Sequence, residues 1–275
     1  IGATATVYAV PVKMDGKRTM VAVKDFSESE GDFKQEMIDE VNCLKIVKGA
    51  KHFPKLIDST SDTIVTYPVG LRIRKIKDIS DPVKFFSGSV KALQYLHGEG
   101  FVHRDISLSN LLLDGSGEPI LIDTAYAVKS GMQVVAAGGI KYGPFNLIQY
   151  YQPNRVCKYS GRDDLLSLVY VMVYLYATPS QRIHIDTTYE KWLAEASKQP
   201  RDAAKELQTR NELLRARSLA VGEAWKPCVL CARGELYDEL ITTFEKKVKG
   251  RGVACTVCKV WGPVCDCDVE NKKKE

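Results

Sequence analysis

The chain has 275 residues, 45% of them hydrophobic and 27% charged, with 39 basic against 34 acidic side chains and a net charge of +5. This is the composition of an ordinary globular chain, long enough to bury a sizeable core. The mild, dispersed positive excess has one basic run, Lys272 to Lys274, which reads as a solvated tail, so no nucleic-acid partner is expected. No basic-then-apolar leader lies between Ile1 and Val12, which leads to the expectation of a cytoplasmic or nuclear location. The longest apolar run, Leu165 to Ala177, falls short of the roughly 20 residues that span a bilayer, so it reads as a buried helix and no membrane partner is expected.

From the start, Thr4 to Val12 and Met20 to Phe26 have strand character and are joined by an Asp15-Gly16-Lys17 turn. Pro11 places the first strand at a sheet edge or ends it there. Asp32 to Val47 has helical spacing, with Phe33, Met37, Val41 and Leu44 on one face. Short strands follow around Lys55 to Asp58 and Thr63 to Tyr67. Asp81-Pro82 opens a helix by N-cap and first-turn proline, its apolar face being Phe85, Phe86, Val90, Leu93 and Leu96. Strands at Leu111 to Leu113 and Ile120 to Ile122 are linked by Asp114-Gly115-Ser116-Gly117, and from Arg162 onward the pattern is mostly helical. A small sheet followed by helices predicts a two-lobed α+β fold.

Six of the eight cysteines crowd the last fifth of the chain. Cys228-Val-Leu-Cys231 and Cys255-Thr-Val-Cys258 form two C-x₂-C pairs, a slightly wide spacing for a tetrahedral zinc site, with Cys265 and Cys267 as spare ligands. Three readings stand: a structural Zn held by four thiolates, free thiols in a helical tail, or a disordered tail rich in cysteine by chance.

The chemistry-bearing stretch is Val102-His103-Arg104-Asp105-Ile106-Ser107-Leu108-Ser109-Asn110. It resembles the catalytic loop of protein kinases, H-R-D-L-x-x-x-N. Val21-Ala22-Val23-Lys24 is similar to that family's V-A-I-K strand, and Leu121-Ile122-Asp123 stands where its second magnesium ligand is found. The resemblance implies that Asp105 accepts the proton of the attacking hydroxyl and that Asn110 and Asp123 hold Mg. It implies that Lys24 pairs the phosphates of ATP and is itself held by a helix glutamate, Glu40 or, one turn earlier, Glu36. Arg162-Asp163-Asp164-Leu165-Leu166-Ser167-Leu168 resembles the buried central helix of the large lobe in casein-kinase and vaccinia-related kinases, where Asp164 would receive catalytic-loop N–H groups. Val65 to Gly70 and His103 to Ser107 look like the atypical fungal-specific and crinkler-type kinases.

By the same analogy Gly2, Ala5 and Val7 belong to the glycine-rich loop, whose first glycine would precede residue 1, so the small lobe is expected to be truncated in its first strand. Ala22, Thr66, Tyr67, Val69, Leu112 and Ile122, with Val7, would line the adenine slot. The implied organisation is a small lobe over 1–68, a large lobe over 69–225 and a cysteine-rich segment over 226–275.

The chain departs from the family pattern in four places: Ala5 stands at the third glycine of the glycine-rich loop, D-F-G reads Asp123-Thr124-Ala125, the lysine two residues after the catalytic aspartate is Ser107, and A-P-E is replaced by Gly143-Pro144-Phe145-Asn146. The implied activity is phosphorylation of a protein substrate on Ser or Thr. The alternatives are a pseudokinase scaffold and a small-molecule phosphotransferase. Arg104 and Arg162-Asp163-Asp164 favour the protein kinases over the latter.

Overall fold

The computed structural model describes residues 5–27, 33–144, 156–198 and 201–249. Strands β1 (Thr6–Met14), β2 (Lys17–Asp25), β3 (Lys55–Ser59) and β4 (Thr63–Tyr67) form an antiparallel sheet in the order β1-β2-β4-β3. The β1–β2 hairpin closes through Asp15 and Gly16 at φ 48° and 74°, both left-handed, which is why an Asp-Gly pair occupies this two-residue turn. Pro11 sits on β1, the sheet edge, where its missing N–H costs no ladder bond. Helix α1 (Lys34–Ile46) lies across the sheet, with Met37, Val41 and Leu44 packed against Ile64 in a small separate core.

Beyond Tyr67 the chain enters the helical part. Helix α2 (Pro82–Gly98) is capped by Asp81, whose Oδ1 accepts the N–H groups of Val83 and Lys84 at 3.0 and 2.9 Å. All five of its predicted apolar-face residues are buried. Short strands β5 (Leu71–Arg72), β7 (Leu111–Leu113) and β8 (Pro119–Leu121) make a three-stranded sheet beneath the first one. Strand β6 (Phe101–Val102) pairs with β9 (Val128–Lys129), and β10 (Gln133–Val135) with β11 (Val156–Lys158). Helices α3 (Gly161–Tyr176), α4 (Pro179–Ala196), α5 (Ala203–Arg233) and α6 (Tyr237–Lys249) complete the described chain. The apolar run from Leu165 is the buried body of α3, and no described helix is long and apolar enough to cross a membrane.

The span α5 is two helices joined across a kink at Gly222 (φ 48°, ψ −166°), three residues before the division expected after residue 225. Trp225, Cys228, Val229, Ala232, Leu240, Phe244 and Val248 all enter the same core as α2 and α3. The physical reason is the strongly one-sided apolar face of α6, which closes over α2: Phe244 stacks on Phe86 with ring centroids 4.1 Å apart. Cys228 is buried in this core, where desolvation pushes its thiol up to about 11, and Cys231 faces the Thr243 hydroxyl at 3.6 Å. Cys255, Cys258, Cys265 and Cys267 lie outside the described residues.

Because Phe244 is fully enclosed, Phe244→Ala should lower the unfolding free energy of the whole domain by about 3–5 kcal/mol in urea titrations. A midpoint unchanged from wild type would mean that α6 folds independently of the large lobe.

Candidate active site

Lys24 stands on β2 directly opposite Ile64, so both side chains leave the sheet on the same face, the one that α1 covers. Its Nζ donates to Glu40 Oε2 at 2.7 Å and to Asp123 Oδ1 at 2.9 Å. Between the two glutamates the position along α1 decides: Glu40 is buried at Lys24, whereas Glu36, one turn earlier on the same face, lacks this contact. Burial alone would lower the Lys24 pKa, but the two carboxylates outweigh it and raise the value, so the ammonium stays charged.

Across the cleft, the catalytic-loop stretch hangs from α3. Asp164, in the first turn of that helix and 1% exposed, accepts the main-chain N–H of His103 at 2.7 Å through Oδ2 and that of Arg104 at 2.9 Å through Oδ1. His97 Nε2 meets the same Oδ2 at 2.9 Å, while its Nδ1 meets the Tyr237 hydroxyl at 2.7 Å. His103 is buried, its Nδ1 accepting the Asp105 N–H at 3.3 Å, which leaves Nε2 protonated toward the Ile122 carbonyl at 3.1 Å.

Asp105 is thus fixed at its backbone, and its carboxylate is fixed as well. Oδ1 accepts the Gly139 N–H at 2.6 Å, and Oδ2 accepts Asn110 Nδ2 at 2.8 Å. Asn110 also donates to the Asp105 carbonyl at 2.9 Å, and its own carbonyl takes the Ile122 N–H at 3.0 Å. That last bond ties the end of the β7–β8 hairpin, and with it Asp123, to the loop. Burial raises the pKa of Asp105, opposed by the Gly139 N–H. The carboxyl is therefore a stronger base than a solvated aspartate.

Two non-glycine residues in this set take left-handed backbone, Arg104 at φ 73° and Asp123 at φ 61°. Strain of this kind persists only where surrounding bonds over-determine it. Ala125 keeps an ordinary negative φ, so the glycine-to-alanine change in Asp123-Thr124-Ala125 meets no conformational demand. Thr124 is buried beside the Cys43 thiol of α1, and desolvation pushes that thiol up to about 11.

Asn110 uses its Nδ2 on Asp105, and no donor reaches its Oδ1 among the described residues. Asp123 keeps one carboxylate oxygen clear of Lys24 in a side chain 34% exposed. Two oxygen donors of this kind suit a hard divalent cation that takes its remaining ligands from phosphate and water. Among the described residues no group of three or more His, Cys, Asp or Glu side chains forms a protein-only metal cage.

Of the residues expected at the adenine slot, Ala22 and Thr66 face one another across the β2–β4 ladder, and Tyr67, Val69, Leu112 and Ile122 are half-buried around the junction of the two sheets. Gly70 lets this connection lie directly on β7: a Cβ there would come within 2.5 Å of the Leu112 Cβ. Val7 pairs with Lys24 and is 61% exposed, Ala5 is half-buried, and Gly2 lies outside the described residues.

A scan against protein-family models matches residues 11–176 to the fungal protein kinase family. The chain belongs to that family. The match to this kinase family begins within β1 at Pro11 and ends at the last residue of α3. Among curated proteins, the fungal-kinase chain is similar to a probable serine/threonine-protein kinase of Dictyostelium discoideum, 29% identical over 143 residues that cover 49% of the chain. It is also similar to testis-specific serine/threonine-protein kinase 4 of Homo sapiens, 31% identical over 111 residues that cover 36% of the chain. It spans 22% and 34% of the lengths of those two relatives.

Three contacts of this kinase site had no counterpart in motif reading: Gly139 on Asp105, His97 on Asp164, and Tyr159 beneath Arg104. The Gly138-Gly139 doublet was the available signal for the first. Gly138 has φ 97°, and a Cβ there would lie 2.1 Å from the Arg104 carbonyl oxygen, a backbone atom with nowhere to go. Gly49 has a similar φ of 85° with nothing within 4 Å. Gly49→Ala should therefore show only the conformational cost, about 1–3 kcal/mol, while Gly138→Ala should lose more than that in thermal or urea unfolding. Equal losses would mean that the segment moves freely off the loop.

Proposed function

We propose that this chain is an active protein kinase, transferring the γ-phosphoryl group of ATP to a serine or threonine hydroxyl of a protein. The observation that carries the reading is Lys24 held between Glu40 and Asp123, at 2.7 and 2.9 Å, opposite an Asp105 whose two carboxylate oxygens are each already oriented. Phosphoryl transfer asks a protein for positioning and charge compensation more than for covalent chemistry, and this set offers both.

In this reading Lys24 meets the nucleotide phosphates while Glu40 keeps the ammonium aimed. Asn110 Oδ1 and Asp123 would hold Mg, which when bound neutralises phosphate charge. Asp105 accepts the proton of the substrate hydroxyl as its oxygen attacks, helped by the burial that raises its basicity. The Ser/Thr preference comes from the names of both relatives, since Ser107 replaces the lysine whose presence would speak for it directly.

A second reading is a nucleotide-binding scaffold. It is favoured by one observation: Ser107 bonds to Ser109 at 2.8 Å, and among the described residues no lysine or arginine forms an ion pair with Asp105. Loss of one such contact to the transferring group lowers a rate on the order of 10²-fold, which slows a kinase without abolishing it.

Radiolabelled ATP with a mixed serine, threonine and tyrosine peptide library separates the readings. Wild type should label serine and threonine. Asp105→Asn should reduce labelling by about 10³-fold, the usual scale of a positioned base, and Lys24→Ala by about 10²-fold or more. The Asp105 substitution should leave the fold intact. Burial raises the aspartate's folded pKa above its unfolded value, so the native state holds the extra proton in that window and stability falls as pH rises through it. Asparagine removes that cost, but sets an amide against Asn110 Nδ2 and loses one hydrogen bond, so the net change should stay within about 1 kcal/mol. Nucleotide binding without labelling above Asp105→Asn would leave the scaffold reading.

A further inference from the structure

Tyr159 is 1% exposed and makes three contacts that converge on the catalytic loop. Arg104 lies over its ring, with the guanidinium carbon 4.6 Å from the centroid. Its hydroxyl donates to the Ala137 carbonyl at 3.0 Å and accepts the Ala137 N–H at 3.1 Å, so both main-chain groups of one residue are held by one side chain. The next residue, Gly138, rests on the Arg104 carbonyl, and the one after it, Gly139, donates to Asp105 Oδ1 at 2.6 Å.

The two Nη groups of Arg104 meet neutral acceptors, while its Nε is buried with no hydrogen-bond partner among the described residues. Nη1 donates to the Tyr126 carbonyl at 3.2 Å and Nη2 to the Val135 carbonyl at 2.6 Å. Among the described residues no carboxylate forms an ion pair with it. A guanidinium over an aromatic face, with carbonyls at its edges, is held firmly in a desolvated setting. The loop and the 135–139 segment are thus joined through one aromatic side chain.

We infer that Tyr159 is a positioning residue for phosphoryl transfer: it clamps Ala137 and Arg104 together, so that the Gly139 N–H fixes the orientation of the Asp105 carboxylate. The inference rests on the phosphotransfer reading above and assigns that reaction a residue from outside its motifs. The pair of hydrogen bonds to Ala137 fixes both the height and the rotation of that peptide, and Gly139 follows two residues later with no side chain to absorb an error. Burial pushes the Tyr159 pKa up to about 12, so the hydroxyl keeps its proton at every working pH. The nucleotide side of the site does not share these contacts, because Lys24, Glu40 and Asp123 bond to one another and not to Tyr159.

The clamp predicts a split between turnover and nucleotide binding. Tyr159→Phe keeps the ring under Arg104 and removes both hydrogen bonds. Its kcat should fall on the order of 10-fold, since misplacing a reacting group by a fraction of an ångström is enough. Its KM for ATP should stay within about twofold of wild type. Tyr159→Leu, which also removes the ring, should fall further in kcat. A Tyr159→Phe enzyme with wild-type kcat, or one whose ATP affinity drops in step with kcat, overturns the inference. If that variant does not fold, Ala137→Pro removes the N–H from the other side of the clamp and is judged by the same split. Wild type measured beside Asp105→Asn keeps the two levels apart: no wild-type turnover removes the phosphotransfer reading itself, whereas an active wild type with an equally active Tyr159→Phe removes only the clamp.

Discussion

The site depends on one buried carboxylate. Asp164 is 1% exposed, and an ionised group in that position is tolerable only when every oxygen is matched by a donor. The donors are the successive N–H groups of His103 and Arg104, with His97 behind them. Charge-assisted bonds of this kind contribute roughly 1.5–3 kcal/mol each. That is enough to hold Arg104 at φ 73°, where an arginine would not otherwise rest. The turn so produced presents Asp105 outward, while His103 folds back onto Ile122. The position of Asp164 also follows from local sequence: Ser160 and Asp163 cap the N-terminus of α3, and a carboxylate in the first turn of a helix is favoured by the helix dipole.

Electrostatics then joins the small lobe to this frame. Glu40 belongs to a helix that packs on the upper sheet, whereas Asp123 follows the lower one, and Lys24 bonds to both. Lys24 therefore bridges the two sheets' elements, and drawing those elements apart would break one of its two bonds. Each of the three groups depends on the others. Burial raises Glu40, Lys24 draws it back toward ionisation, and the two carboxylates together keep Lys24 charged. Removal of the lysine would leave two acidic groups facing each other in a half-buried cleft.

How much of this was legible in the sequence followed a physical division. Strand, turn and cap positions were legible because they depend on neighbours within a few residues. Asp15-Gly16 demands its hairpin, Asp81-Pro82 its helix start, and Val21 to Lys24 its strand. The set Lys24, Asp105, Asn110 and Asp123 was legible because its spacing along the chain is constrained by the reaction it resembles. The choice of Glu40 over Glu36 was half legible: helical periodicity allowed both, and only the packing of α1 on Ile64 settled which one turns toward Lys24. The packing of α6 on α2 was not legible, because the fit of Phe244 onto Phe86 is a long-range fact with no signature in local spacing. Contacts such as Tyr159 with Ala137 carry no periodic or spacing signature at all, being side-chain bonds to main-chain groups that any residue offers.

The departures from the family pattern can be weighed the same way. A lost glycine matters where positive φ is required, and in Asp123-Thr124-Ala125 the positive φ has fallen on the aspartate, leaving alanine unstrained. A lost phenylalanine matters for the volume it filled, and here Thr124 is buried against the Cys43 side of α1. The smaller side chain leaves α1 attached to this segment by short-range contact and by the Glu40–Lys24–Asp123 bridge, without a bulky ring that swings between two positions. A two-state switch needs two packed arrangements of similar energy. Two small side chains enclosed against one another supply only one, so the departure at Thr124 bears on switching of this segment more than on the placement of Asp123, which its bond to Lys24 holds.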